Sequence, residues 1–229
     1  MKRVLRIAAG LVLFSLVVLC VAAPANAQRA QQFIPPDVLY ASEVPYSDST
    51  AAAGVVTLAV NLDGGGNIIN AQVLRDVPTL TSPALVAVHG WTYAAASLNG
   101  KHVPATLLVN LVFDPPFLQL QNVTLTPAQA FQPPDPKATP YAPPQLLAAT
   151  YPPYPSGGLV GGAVVLEVVV GSAGAIGKVT VIRAVPTLTA AAIPALKAWK
   201  FAAAVYEHTP VAAKVVVAMV YRKPVMPEQ

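Results

Sequence analysis

Cysteine is all but missing from this chain: of 229 residues only Cys20 is one, and it stands inside an apolar run near the N-terminus. Beyond that run no thiol exists to form a disulfide, hold zinc or act as a nucleophile. Charge is scarce as well, at 10% of residues against 55% hydrophobic, which excludes the composition of a charge-rich disordered chain. The net charge of +4 misleads, because Lys2, Arg3 and Arg6 precede the apolar run, and without them eleven bases face ten acids. A surplus of one gives nucleic acid no basic surface to bind. Histidine is limited to His89, His102 and His208, each alone and with no second His or Cys at metal-ligand spacing. The sequence thus offers no metal site, no cofactor motif and no catalytic set.

Hydrophobicity concentrates at the start. MKRVLR is followed by the apolar stretch Ile7 to Ala23 and then by Pro24-Ala25-Asn26-Ala27 before Gln28. Basic, apolar and small-residue segments in that order predict a secretory signal peptide over residues 1–27, cleaved after Ala27. The apolar stretch is near the lower limit of a membrane span, so an uncleaved anchor at residues 7–23 is the alternative. A lipidated Cys20 would want a small residue before it, and Leu19 is bulky.

The rest is a repeat. Setting Gly54 on Gly162 fixes an offset of 108, which also places Tyr46 on Tyr154, Gly66 on Gly174, Arg75 on Arg183, Trp91 on Trp199 and Val103 on Val211. The phrase LRDVPTLT at 74–81 returns as IRAVPTLT at 182–189. No gap is needed from Gly54 to Pro116, so the mature chain is two copies of one module, at residues 36–114 and 151–224. Residues 115–150 between them are rich in proline, which removes backbone donors and favours extended chain, and predict a semi-rigid linker.

Val56, Leu58, Val60 and Leu62 alternate with Thr57, Ala59 and Asn61, which predicts a strand with one buried face, and Val164, Leu166, Val168 and Val170 repeat the phase. Asp63-Gly64-Gly65-Gly66-Asn67 and Gly171-Ser172-Ala173-Gly174 are hairpin sequences. No Gly-Lys-Ser/Thr follows them, so they are not phosphate loops. A second strand at 68–75 and 176–183 is expected to turn Ile69, Ala71 and Val73 inward. Leu80, Ala84, Val88 and Trp91, like Leu188, Ala192, Leu196 and Trp199, recur at helical spacing. Thr81 and Thr189 are expected to cap these helices, with Ser82 a competing cap ahead of Pro83, and Pro194 to kink or shorten the second.

A third strand, Val103 to Phe113 and Val211 to Tyr221, is apolar on both faces, which implies cover on both sides or a partner along its edge. The predicted fold class is therefore α+β: two tandem modules, each strand, strand, helix, strand, with a three-stranded antiparallel sheet and one packed helix. In the repeated phrase, the second strand ends, an arginine is expected to reach solvent, and proline stops further pairing.

Taken together, Tyr154-Pro155, Gly162, Gly174-x-Ile176, Arg183-x-x-Pro186-x-Leu188, Trp199-Lys200-Phe201 and Val211 resemble the C-terminal domain of the TonB energy-transducer family. The first copy keeps Tyr46, Gly54, Trp91-Thr92-Tyr93 and Asn99-Gly100-Lys101 of the same pattern. The resemblance implies a periplasmic, non-enzymatic domain without cofactor or metal, which grips an extended segment of an outer-membrane receptor by adding it to a sheet edge. The edge that the resemblance implies here, carried over by position, is Lys214, Val215, Val216, Val217, Ala218 and Met219. The family's anchored transducers carry a functional histidine in the anchor, and residues 7–23 have none.

Three functions follow as expectations. One is an exported envelope protein that binds envelope or outer-membrane receptor proteins and supports TonB-type transport. Another is an inner-membrane-anchored transducer facing the periplasm. The third is an envelope scaffold whose modules, or two copies of the chain, pair through their third strands. Trp91 and Trp199, ending apolar stripes, read as core rather than as peptide platforms. Glu167 and Asp63 read as solvated strand and turn residues, and Tyr151-Pro152-Pro153-Tyr154 as the rigid entry to the second module.

Overall fold

The computed structural model describes residues 33–47, 50–115, 125–133, 141–155 and 160–223, so the expected signal peptide and anchor lie outside the described residues. Gln31–Gln229 form one compact unit. The first copy runs β1 (Phe33–Ile34), β2 (Asp37–Tyr40), β3 (Gly54–Leu62), β4 (Ile68–Arg75), α1 (Thr81–His89), β5 (Thr92–Ala94), β6 (Ala96–Leu98), β7 (Lys101–Val103) and β8 (Ala105–Asp114). The second follows the same order: β9 (Tyr141–Ala142), β10 (Gln145–Ala148), β11 (Gly162–Val170), β12 (Ile176–Arg183), α2 (Pro186–Lys197), β13 (Lys200–Ala202), β14 (Ala204–Tyr206), β15 (Thr209–Val211) and β16 (Ala213–Tyr221). The class is mixed α+β, as expected, with short strands added before and after each helix.

The long strands of both copies join in one six-stranded sheet, ordered β12-β11-β16-β8-β3-β4. Each half is antiparallel, and at the centre β16 and β8 run parallel, from Val215 opposite Leu108 to Tyr221 opposite Asp114. That pairing offset of 107 is one less than the repeat offset of 108. Because strand side chains alternate, a shift of one turns equivalent residues to opposite faces. The two helices consequently cover opposite faces of the sheet.

Each face is shared between the copies. Under α1 lie Val56, Leu58, Leu107, Val109 and Leu111 of the first copy together with Val165, Val216, Ala218 and Val220 of the second. The α2 face joins Leu166, Val168, Val215, Val217 and Met219 to Val55, Ala59, Leu108 and Val112. The two-faced apolar third strand thus has cover on both sides and a partner along its edge. β3, expected to bury one face, buries both, since its back serves the other copy's core. A fully buried Val or Leu is worth about 1.5–3 kcal/mol over an exposed one, so the shared faces weigh heavily in a disulfide-free protein.

The opening segment of each copy, its leader, packs into a core that the two copies share. Val38, Ala41 and Val44 pack in the α1 core beside Ala163 and Val165 of the second copy. Leu146, Ala149 and Tyr151 pack in the α2 core beside Val55 and Ala59 of the first. β2 and β10 are held to their own modules by antiparallel pairing with β5 and β13.

Three local expectations are corrected. Ile69 does not face inward: it is the extra residue between Ile68, paired with Leu62, and Asn70, paired with Asn61, and it stands 54% exposed. That bulge reverses the alternation, so Ile68, Ala71 and Val73 supply the buried face. Neither threonine is an N-cap; Thr81 and Thr189 turn their hydroxyls back to the main chain of Val77 and Val185. Pro194 does not shorten α2, which runs on to Lys197 with Pro186 at its start.

Candidate docking edges

A sheet takes up an extended peptide through the unpaired N–H and C=O groups of an edge strand. The candidate site is therefore found by asking which edges the chain leaves open. The segment Lys214 to Met219 is not an edge in the folded chain. β11 pairs with it on one side, from Val169 opposite Lys214 to Val164 opposite Met219, and β8 pairs with Val215 onward on the other. Val215 to Met219 are wholly buried. The Lys214 ammonium lies 2.9 Å from both Asp37 and Glu167, tying the first leader to the second module.

Glu167 is accordingly not a solvated strand residue, because it is 5% exposed. Burial, and then Asp37 beside it, hold its carboxyl above the usual carboxylate range despite the ammonium. Asp63 does sit in the hairpin, where its carboxylate accepts from the N–H groups of Gly65 and Asn67, each at 2.8 Å. Those bonds, led by the Asn67 side chain, lower its pKa.

Of the arginines in the repeated phrase, Arg75 does not reach solvent, whereas the Arg183 side chain stays 30% exposed. Arg75 is 5% exposed; its guanidinium donates to Thr57 Oγ1 (2.9 Å), to the Leu146 carbonyl (3.2 Å) and to the Thr126 carbonyl (2.7 Å). It clamps the second leader and the linker onto the first module. Arg183 does the reciprocal work on the exposed side, pairing with the Glu43 carboxylate and the Ala41 carbonyl of the first leader. Glu43 also accepts from the Ala163 N–H at 3.1 Å. Sequence reasoning missed these anchors, although an identical residue at an identical repeat position was the available signal.

The two outer strands of the sheet differ. β4 is flanked by the linker: Gln129 N–H donates to the Leu74 carbonyl (2.5 Å), Gln132 N–H to the Gln72 side chain (3.1 Å), and Gln72 to the Ala130 carbonyl (3.4 Å). Leu125 and Phe131 of the linker pack against the α2 core. β12, with sequence IGKVTVIR, is paired only with β11 among the described residues. Leu74 is 6% exposed, whereas its counterpart Ile182 is half-buried and Val181 is 40% exposed.

The remaining candidates are dispersed over the fold. Trp91 and Trp199 are each 4% exposed, and Trp199 Nε1 donates to the Thr150 carbonyl at 3.0 Å. His89 bonds the Leu85 carbonyl of its own helix, and His102 and His208 lie in the β6–β7 and β14–β15 hairpins. No group of His, Cys, Asp or Glu among the described residues is placed to hold a metal. Tyr151 is buried and Tyr154 meets Tyr221 edge to face at 6.0 Å, consistent with a rigid entry into the second module. Asp114, at the end of β8, is raised by burial to about 7.

The protein-family model described as the Gram-negative bacterial TonB protein C-terminal matches residues 46–115 and 149–222, more than half of the chain in two copies. No curated protein and no solved structure matches.

Proposed function

This chain belongs to the TonB C-terminal family, and we propose that it is an exported, non-enzymatic envelope protein whose two modules act as one body that binds envelope or outer-membrane receptor proteins in support of TonB-type transport. The observation that carries this reading is the parallel pairing of β8 with β16. The resemblance assigns docking to the third strand, and here the third strands dock on each other. Under this reading Lys214 to Met219 join the modules, and they offer an edge to a partner only if β8 leaves them. The pairing equally supports a scaffold role, in which the joined body holds partners on its outer strands and hairpins.

Photo-crosslinking side chains introduced at exposed positions of the full chain in intact cells test the proposal. Adducts with periplasmic or outer-membrane proteins are expected. A chain recovered without any adduct from every such position would overturn it. Fractionation separates the anchored transducer: a full-length chain held in the inner membrane favours that role, and a soluble chain beginning near Gln28 excludes it.

A further inference from the structure

Lys214 stands between two carboxyl groups from different parts of the chain. Its Nζ is 2.9 Å from Asp37 Oδ2, on β2 of the first leader, and 2.9 Å from Glu167 Oε1, on the neighbouring strand β11. Alternation puts Lys214 on the face of Val216, Ala218 and Val220, and Glu167 on that of Ala163 and Val165, so both belong to the α1 side where the leader packs. The Lys214 side chain is 21% exposed and that of Glu167 7%, and Glu167 Oε2 is buried without a hydrogen-bond partner among the described residues.

Packing does not call for this triad. Through the repeat offset of 108 its counterparts are Gln145, Thr106 and Ala59, all uncharged, and there the second leader docks on the shared core just the same. Desolvating one ammonium and two carboxyl groups is costly, and apolar side chains often do as well at such a site. An amide between the amine and one carboxyl removes two charges and keeps the contact.

Proton positions suit that reaction. Burial, and then Asp37, raise Glu167 to about 7, so near neutrality it holds a proton. Burial lowers the Lys214 pKa, and the two carboxylates more than reverse this, so the amine is freed by passing its proton within the cluster.

We propose that Lys214 and Asp37 condense to an isopeptide bond, with Glu167 carrying the protons. The cluster is neutral when its two carboxyls hold one proton between them. Transfer of a second proton from the ammonium leaves an amine and two carboxylic acids, still neutral. The nitrogen lone pair then attacks Asp37 Cγ and the C–N bond forms; Glu167 protonates the departing hydroxyl, the C–O bond breaks, and Glu167 recovers a proton from the nitrogen. One water leaves on the side of Asp37, whose side chain is 40% exposed, and no oxidant or activated donor is consumed. Fixed geometry makes the condensation unimolecular, with an effective molarity on the order of 10⁵ M. The bond closes residues 37–214 into a loop and constrains the unfolded chain as a disulfide does, where the described residues hold no cysteine.

Tryptic digestion of the full chain purified from cells tests this. Residues 30–75 and 201–222 should emerge joined, lighter than their sum by one water and uncut at Lys214, with tandem mass spectrometry placing the link at Asp37. Asp37→Asn should reach the same linked product by releasing ammonia instead of water, whereas Asp37→Ala and Lys214→Arg should give separate peptides. Glu167→Gln should hold at least about tenfold less linked chain, with a single urea transition showing that it has folded. A chain cut between residues 134 and 140 should run as one band on a denaturing gel, and its Asp37→Ala variant as two. Because the bond alone would hold such halves together, cohesion of the seam is read on Asp37→Ala.

Separate peptides from the folded wild-type chain, with Lys214 cleaved, would overturn the inference and leave the triad an ion pair only. A link from 201–222 to residues 138–178 would assign the bond to Glu167 and overturn the choice of Asp37. Water lost elsewhere, as at Asp63-Gly64, leaves the two peptides separate and is the same negative result. None of these outcomes bears on whether the chain binds envelope proteins.

Discussion

Arg75 and Arg183 occupy one position of the repeat and hold different things. Arg75 is buried with three oxygen partners, and Arg183 shares a partly exposed ion pair. Removing a buried charged donor leaves its acceptors unsatisfied, so Arg75→Ala should cost about 2–4 kcal/mol. Arg183→Ala should cost under about 1 kcal/mol, because solvent screens its pair. Urea midpoints of the two variants check the contrast. A second residue-scale prediction concerns acid. Burial raises Asp114 to about 7 and also raises Glu167. A carboxyl that is easier to protonate in the fold than in the unfolded chain weakens the fold as pH climbs through that window. Melting temperature should therefore fall between about pH 5 and pH 7, and Asp114→Asn combined with Glu167→Gln should flatten the slope. Neither effect was legible in the sequence, since a local pattern shows an arginine after a strand but not the distant segment it meets.

At the scale of elements, the long strands, the hairpins and the two helices fall near where periodicity placed them, short strands stand before and after each helix that it did not indicate, and the departures have local causes. The phrase VPTLT folds in two ways. In the first copy Thr79 takes φ +73 and α1 starts at Thr81; in the second, α2 starts at Pro186. Pro83 lacks the N–H that would bond the Thr79 carbonyl, while Ala191 keeps its counterpart, so only the second helix can extend back through the phrase. The hairpin glycines show a second constraint that composition does not reveal. Gly174 has φ +77, and a Cβ there would collide with the Phe201 carbonyl oxygen, whereas Gly100 has φ +80 with open space around it. Gly100→Ala should cost about 1 kcal/mol from backbone strain alone. Gly174→Ala should cost at least about 1 kcal/mol more, because β13 must move, and thermal unfolding of the two variants measures the difference.

At the scale of the molecule, the sequence showed two modules and a third strand too apolar for one face, but not whether its neighbour would be cover, a partner or the other copy. Hydrophobic alternation fixes which way a side chain points and says nothing about which strand lies beside it. The parallel pairing of β8 and β16 answers that, and with it the modules cease to be separable: each core is lined by residues of both. The docking strand implied by the resemblance is the seam, and the outer strands of the sheet are β12 and β4. The most direct test of this account is to place a protease site between residues 134 and 140, cut the folded chain from Gln28 carrying Asp37→Ala, and measure the mass of the product in solution. The halves should remain one 1:1 particle at micromolar concentration and unfold together in a single urea transition. Separation into two folded modules on cutting would contradict it.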